Sequence, residues 1–197
     1  MEFRVDYRRV AGFVGLGVVV FGLCFIAARY FQGAAGIAAV WPANALVLAF
    51  KLRACPTRAC SRAALGVAFL AMVAANLAVD RPLAVSLAFP VANIVEIALA
   101  AWFMRRVTMP LSGMRDLGQF LLGGVVAGPL ASTVLAAGVM ATAQGLSGEA
   151  LVGQAVGWLL ADVTGMAIVA PFALSLGSVR RNGWLLVLAA PSLIGVT

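Results

Sequence analysis

Six apolar runs, each about as long as a bilayer is thick, constrain this chain more than any other feature. They are Val10–Ala28, Gly33–Leu52, Ala63–Val79, Leu83–Met104, Leu117–Ala143 and Val152–Leu176. About twenty helical residues cross the hydrocarbon. The runs therefore predict an all-α membrane protein, a polytopic transmembrane helix bundle with six full spans. Trp184–Thr197 opens a partial seventh of fourteen residues, too short to cross. The first run is too long for a cleaved signal peptide, and no clear small-residue cleavage site follows it. Composition agrees. The chain is 63% hydrophobic and 11% charged, against about 25% charged in a soluble domain, and its mean hydropathy is +1.05. Residues 1–197 thus read as a single membrane unit.

The net charge is +7, and its placement is informative. Arg4, Arg8 and Arg9 precede the first run. Lys51, Arg53, Arg58 and Arg62 lie between the second and third. Arg105, Arg106 and Arg115 follow the fourth, and Arg180 and Arg181 follow the sixth. The alternate loops hold only Arg29 and Arg81, with Asp80 and Glu149. Positive residues mark the cytoplasmic side, so the amino terminus is expected inside. The same residues can contact anionic membrane lipids. They form no nucleic-acid footprint, because no aromatic interleaving or known motif accompanies them.

Two of the seven acids break the pattern. Glu96 and Asp162 lie inside apolar runs, while Glu2, Asp6, Asp80, Asp116 and Glu149 lie in tails or loops. A charge at the bilayer centre costs about 2.5–3.5 kcal/mol on insertion scales. Such groups turn inward, as structural clasps or as parts of a functional site. Asn93 stands three residues before Glu96, and Trp158 four before Asp162, so each pair shares a helix face. Asn44 follows Trp41-Pro42, Asn76 lies near the outer end of the third run, and Gln154 near that of the sixth. Interhelical hydrogen bonding alone explains the asparagines. The whole set points to a small polar chamber. Pro42, Pro90, Pro129 and Pro171 can kink their helices. The ridge Gly124-x-x-x-Gly128-x-x-x-Ser132 admits close approach of another helix, from this chain or from a second copy in a homodimer.

Histidine is absent, which removes the usual b-type haem ligand and the commonest zinc ligand. No cofactor and no metal are expected. Cys24 is mid-membrane. Cys55 and Cys60 share a short basic loop, and their spacing matches no metal knuckle. If that loop is cytoplasmic they are expected as free, reduced thiols.

Three stretches resemble a known family. Trp41-Pro42-Ala43-Asn44-Ala45-Leu46 is similar to the Trp-Pro helix of the MASE1 domain, a bacterial integral membrane sensory domain. Asn93-Ile94-Val95-Glu96, running on to Trp102 and Arg105-Arg106, is similar to its Asn-x-x-Glu helix. Trp158 to Gly165, followed by Ala170-Pro171, is similar to its Asp-x-x-Gly…Pro helix, and Asn76 falls where a polar residue is frequent. Asn44 or Ala45, Ala92 and Ala161 stand where the family often has glycine. The resemblance covers nearly the whole chain.

The resemblance implies a domain of about eight helices in the bacterial inner membrane. It also implies a cytoplasmic output domain beyond Thr197: a diguanylate cyclase, a phosphodiesterase or a histidine kinase. The chain itself carries no output signature, so no catalysis is expected of it. An unknown small ligand, a proton or a lipid is expected among Glu96, Asp162, Asn93, Trp158, Trp41, Asn44 and Asn76. The alternative is a substrate-binding membrane subunit of a small-solute or vitamin transporter, whose cytoplasmic loops would dock a partner protein. No convincing repeat relates the two halves, as many transporters require. A membrane enzyme is weaker still, since no nucleophile motif or metal cluster is present.

The arginine pattern predicts that a membrane-impermeant maleimide, added outside intact cells, leaves Cys55 and Cys60 unlabelled. Labelling from outside overturns the orientation.

Overall fold

The computed structural model describes residues 7–31, 39–107 and 113–175. All the regular structure among them is helical. In chain order the helices are α1 (Tyr7–Tyr30), α2 (Pro42–Ala54), α3 (Arg58–Ala78), α4 (Leu83–Phe103), α5 (Met114–Phe120), α6 (Gly128–Ala143) and α7 (Gly148–Thr164). A π-helical turn, Leu121–Ala127, joins α5 to α6, so Met114–Ala143 is one continuous rod. A second, Gly165–Val169, carries α7 on to Ser175.

Five of these rods are long and apolar enough to cross a membrane: α1, α3, α4, α5–α6 and α7 with its extension. The sequence suggested six full spans, and the difference lies in the second run. Among its described residues the helix is Pro42–Ala54, thirteen residues long, or about 20 Å at 1.5 Å per residue. Proline explains the start. It has no N–H to give, suits the first helical position, and disfavours helix in the residue before it. Trp41 accordingly takes φ −117° and ψ 83°. Its N–H leaves the helix ladder and donates to the Ala161 carbonyl at 3.1 Å. Ala161 lies near the middle of the α7 rod, so α2 begins deep inside the bundle. The partial seventh segment, Trp184–Thr197, lies outside the described residues.

Each remaining boundary has a local cause. Thr57 caps α3, its Oγ1 accepting from the Cys60 N–H at 3.2 Å. At the far end of α3, Asp80 adopts φ 59° and the Arg81 N–H donates to the Asn76 carbonyl at 3.2 Å. Pro82 then opens α4. Half of the most apolar window of α4 is buried, against 22% for α1. α4 is the axis: α2, α3, α6 and the Leu121–Ala127 turn pack on it, while α1 lies outside against α3 and α2. The main core gathers Leu48, Met72, Ile97, Met104, Phe120 and Met166. A smaller cluster of Val85, Phe89, Ala136, Met140 and Trp158 sits between α4, α6 and α7.

Two glycines set the helix spacing. A Cβ on Gly128 would stand 3.2 Å from both Cγ and the carbonyl oxygen of Glu96, so α6 touches the backbone of α4 there. A Cβ on Gly165 would collide with the Trp41 carbonyl, so α7 presses directly on the entry to α2. The small-residue ridge therefore packs within the chain at Gly128. The cysteine expectation is corrected as well. Cys55 and Cys60 are joined in a disulfide, their Cα atoms 5.1 Å apart, because the Pro56-Thr57 turn folds the end of α2 back on the start of α3.

Gly165→Ala is expected to destabilise the protein by about 1–3 kcal/mol, the usual cost of overpacking. Gly138→Ala, with nothing near its Cβ position, is expected to stay within about 0.5 kcal/mol. Unfolding in detergent compares them, and equal stabilities would contradict the close approach of α7 to Trp41.

Candidate functional site

Glu96 on α4 and Asp162 on α7 are 0% and 1% exposed. Neither faces lipid, as the cost of a carboxylate in hydrocarbon requires. Their carboxyl groups lie close enough to act on each other's charge. An ionised carboxyl only accepts. A hydrogen bond between the two thus needs a proton on one of them.

Short polar side chains hold the pair from both sides. Asn44, in the first turn of α2, donates through Nδ2 to Glu96 Oε2 at 2.8 Å and to Asn93 Oδ1 at 2.9 Å. Because α2 starts inside the bundle, this amide reaches the acids from mid-depth. On the Asp162 side, Trp158 Nε1 donates to Ser132 Oγ at 2.9 Å, and Ser132 Oγ donates to Asp162 Oδ2 at 3.3 Å. Asn44, Asn93, Glu96, Ser132 and Asp162 are all buried. They come from α2, α4, α6 and α7, so four helices converge on one polar knot.

A cavity of about 30 Å³ adjoins the knot, room for one or two waters. Asn93, Asp162 and Ala161 form its deep end. Asn76 and Arg81, at the turn between α3 and α4, form the other. Trp41, Phe89 and Trp158 are the walls, with the Phe89 and Trp158 rings 4.8 Å apart and tilted at 55°. Arg81 donates from Nη1 to Asn76 Oδ1 at 3.1 Å and lies 5.9 Å from the Phe89 ring centre. Partial burial lowers the Arg81 pKa from its ordinary value, yet a guanidinium stays charged at neutral pH. The cavity is thus bipolar, cationic towards the turn and carboxylic at depth. Trp41 Nε1, Asn44 Oδ1 and Glu96 Oε1 are buried and meet no protein hydrogen-bond partner. An unmet buried polar group costs about 1–3 kcal/mol, which a water or ligand relieves.

All seven residues singled out in the sequence converge here. Asn44, Asn93, Glu96, Asp162 and Trp158 form the knot, and Trp41 and Asn76 line the cavity. Two participants were less legible. Ser132 was visible only as a small residue of the glycine ridge, although it carried a hydroxyl on an otherwise bare face. Arg81 read as a loop charge, and the turn at Asp80 bends it inward. Gln154, also noted in the sequence, is half-buried and does not line the cavity. Among the described residues no cluster of three or more His, Cys, Asp or Glu side chains could hold a metal ion.

Comparison with known proteins gives one match. The MASE1 family model matches residues 10–186, nearly the whole chain. No curated protein and no solved structure matches.

Ser132→Ala removes the link between Trp158 and Asp162 and leaves the indole N–H unmet. It is expected to destabilise the protein by about 1–3 kcal/mol. Thr142→Ala, which removes an exposed hydroxyl bonded only to the Gly138 carbonyl, is expected to change stability by about 0.5 kcal/mol or less. Equal losses in thermal unfolding would show that the Ser132 link contributes nothing.

Proposed function

The chain belongs to the MASE1 family, whose members are membrane-associated sensory domains of signalling proteins, and on that premise we propose that the Glu96–Asp162 knot is the element that senses. The fit of family and fold is direct: a multi-pass helical domain with a sensory rather than catalytic role. The observation that carries the proposal is the burial of two carboxyls from α4 and α7 in one polar knot, beside a small cavity lined by Asp162, Asn93 and Trp41, whose indole N–H is unmet. A purely structural clasp is better made from neutral groups, because an acid buried in hydrocarbon is costly.

In this proposal a small polar occupant of the cavity, a proton included, engages Asp162, Asn93 and Trp158. It favours one packing of α4 against α7 over another. A ligand shifts such a balance only by its differential affinity for the two packings. α2 transmits the shift: Asn44 holds the acids at one end, and at the other Arg53 donates from Nη1 to the carbonyls of Ala173 and Leu174 at 2.9 and 3.1 Å. The domain sits in the bacterial inner membrane with its amino terminus in the cytoplasm, as the arginine distribution favours. The output is a cytoplasmic cyclase, phosphodiesterase or kinase module.

Glu96→Gln and Asp162→Asn preserve shape and remove ionisation. In the intact signalling protein each is expected to shift output, read across pH, at unchanged membrane abundance. Wild-type signalling by both variants at wild-type abundance would return the acids to a structural role.

A further inference from the structure

The loop between α2 and α3 carries chemistry that the acid site does not use. Cys55 ends α2 and Cys60 lies in the first turn of α3, with Cα atoms 5.1 Å apart, inside the range a disulfide spans without backbone movement. Both side chains are half-buried, not sealed in the core, so solvent reaches them. The α3 cap places Cys60 at the positive end of a helix, where a thiolate is stabilised. Cys55 lines an open groove of about 580 Å³, with Lys51, Arg58, Arg62, Trp102 and Arg105. A groove that Cys55 shares with four cations and an indole suits an anionic reagent.

We propose that Cys55 and Cys60 are a reversible dithiol–disulfide site, oxidised by an anionic low-molecular-weight disulfide that enters the basic groove. The proposal rests on the cytoplasmic orientation of this loop proposed above, since only a reducing compartment makes the dithiol the resting form. The exchange balances. The Cys55 thiolate attacks one sulfur of the small disulfide, forming a mixed disulfide and expelling one small thiolate. The Cys60 thiolate then attacks Cys55 Sγ and expels the second. The protein loses two thiol hydrogens, and the small disulfide is reduced to two thiols. The consequence for the fold is local. Oxidation ties the end of α2 to the start of α3, and reduction frees it, while Arg53 and Asn44 connect the same helix to α7 and to the acids.

The test uses the full chain, reduced in detergent and equilibrated with mixtures of reduced and oxidised glutathione, then trapped with a maleimide and read by mass spectrometry. The Cys55–Cys60 disulfide is expected to rise and fall with the glutathione ratio while Cys24 stays a thiol. A pair that remains a dithiol in oxidised glutathione alone overturns the proposal, and so does one that resists excess reduced glutathione. Cys60→Ser is expected to accumulate glutathione on Cys55. The double substitution Arg58→Gln and Arg62→Gln is expected to slow oxidation by glutathione disulfide about tenfold and to leave that by uncharged hydroxyethyl disulfide unchanged. An equal effect on both reagents removes the groove from the proposal's terms and contradicts it. Trapping in intact cells separates this failure from that of orientation. A pair reversible in vitro yet fully oxidised in unstressed cells means that the loop faces the outside.

Discussion

Two carboxyl groups inside an apolar bundle set the terms for everything around them. Neither can face lipid cheaply, so α4 and α7 must turn those faces towards each other. Once they do, every nearby atom has to be a donor or be small. Asn44 donates to Glu96 and Ser132 to Asp162. Gly128 lets α6 come close enough to α4 for Ser132, one helical turn further on, to reach α7. Gly165 lets α7 lie against the Trp41 carbonyl, which brings the first turn of α2 into the knot. Exchanging any of these small residues for a larger one would push apart groups that partner each other across the helix contacts.

The start of α2 at Pro42 follows from the same requirement. A continuous helix through residue 41 would spend the Trp41 N–H on its own ladder. Pro42 starts the helix at mid-depth and leaves Trp41 bonded to Ala161. Irregular backbone at that depth is tolerated when it lies in protein and not in lipid. The two π-helical turns, Leu121–Ala127 and Gly165–Val169, occur in the two other rods that meet the acids. Such turns are often found at functional sites. Here they place the Gly128 and Gly165 contacts beside Glu96 and Trp41.

Much of this was legible in the sequence. Apolar runs and arginine loops marked the spans, because hydrocarbon thickness and charge cost are simple rules. Glu96 and Asp162 stood out for the same reason, and helical spacing joined Asn93 and Trp158 to them. Other features depend on tertiary contact and were not legible. Residues 39–41 and the first turns of α2 are almost all apolar, so hydropathy alone could not show that Trp41 leaves the helix ladder and that α2 starts at Pro42. Ser132 looked like packing because a hydroxyl on a glycine ridge has no partner until α7 is placed. Arg81 joined the cavity only through the Asp80 turn. The Cys55–Cys60 pairing needed the angle between α2 and α3, which spacing alone does not give.

The claim that the rest depends on is direct interaction between Glu96 and Asp162. A double-mutant cycle measures it: the unfolding free energies of wild type, Glu96→Gln, Asp162→Asn and the double variant, in one detergent at one pH. Groups in contact are expected to show a coupling of about 0.5–3 kcal/mol. Additivity to within about 0.3–0.5 kcal/mol, the behaviour of distant and independent sites, would contradict the account.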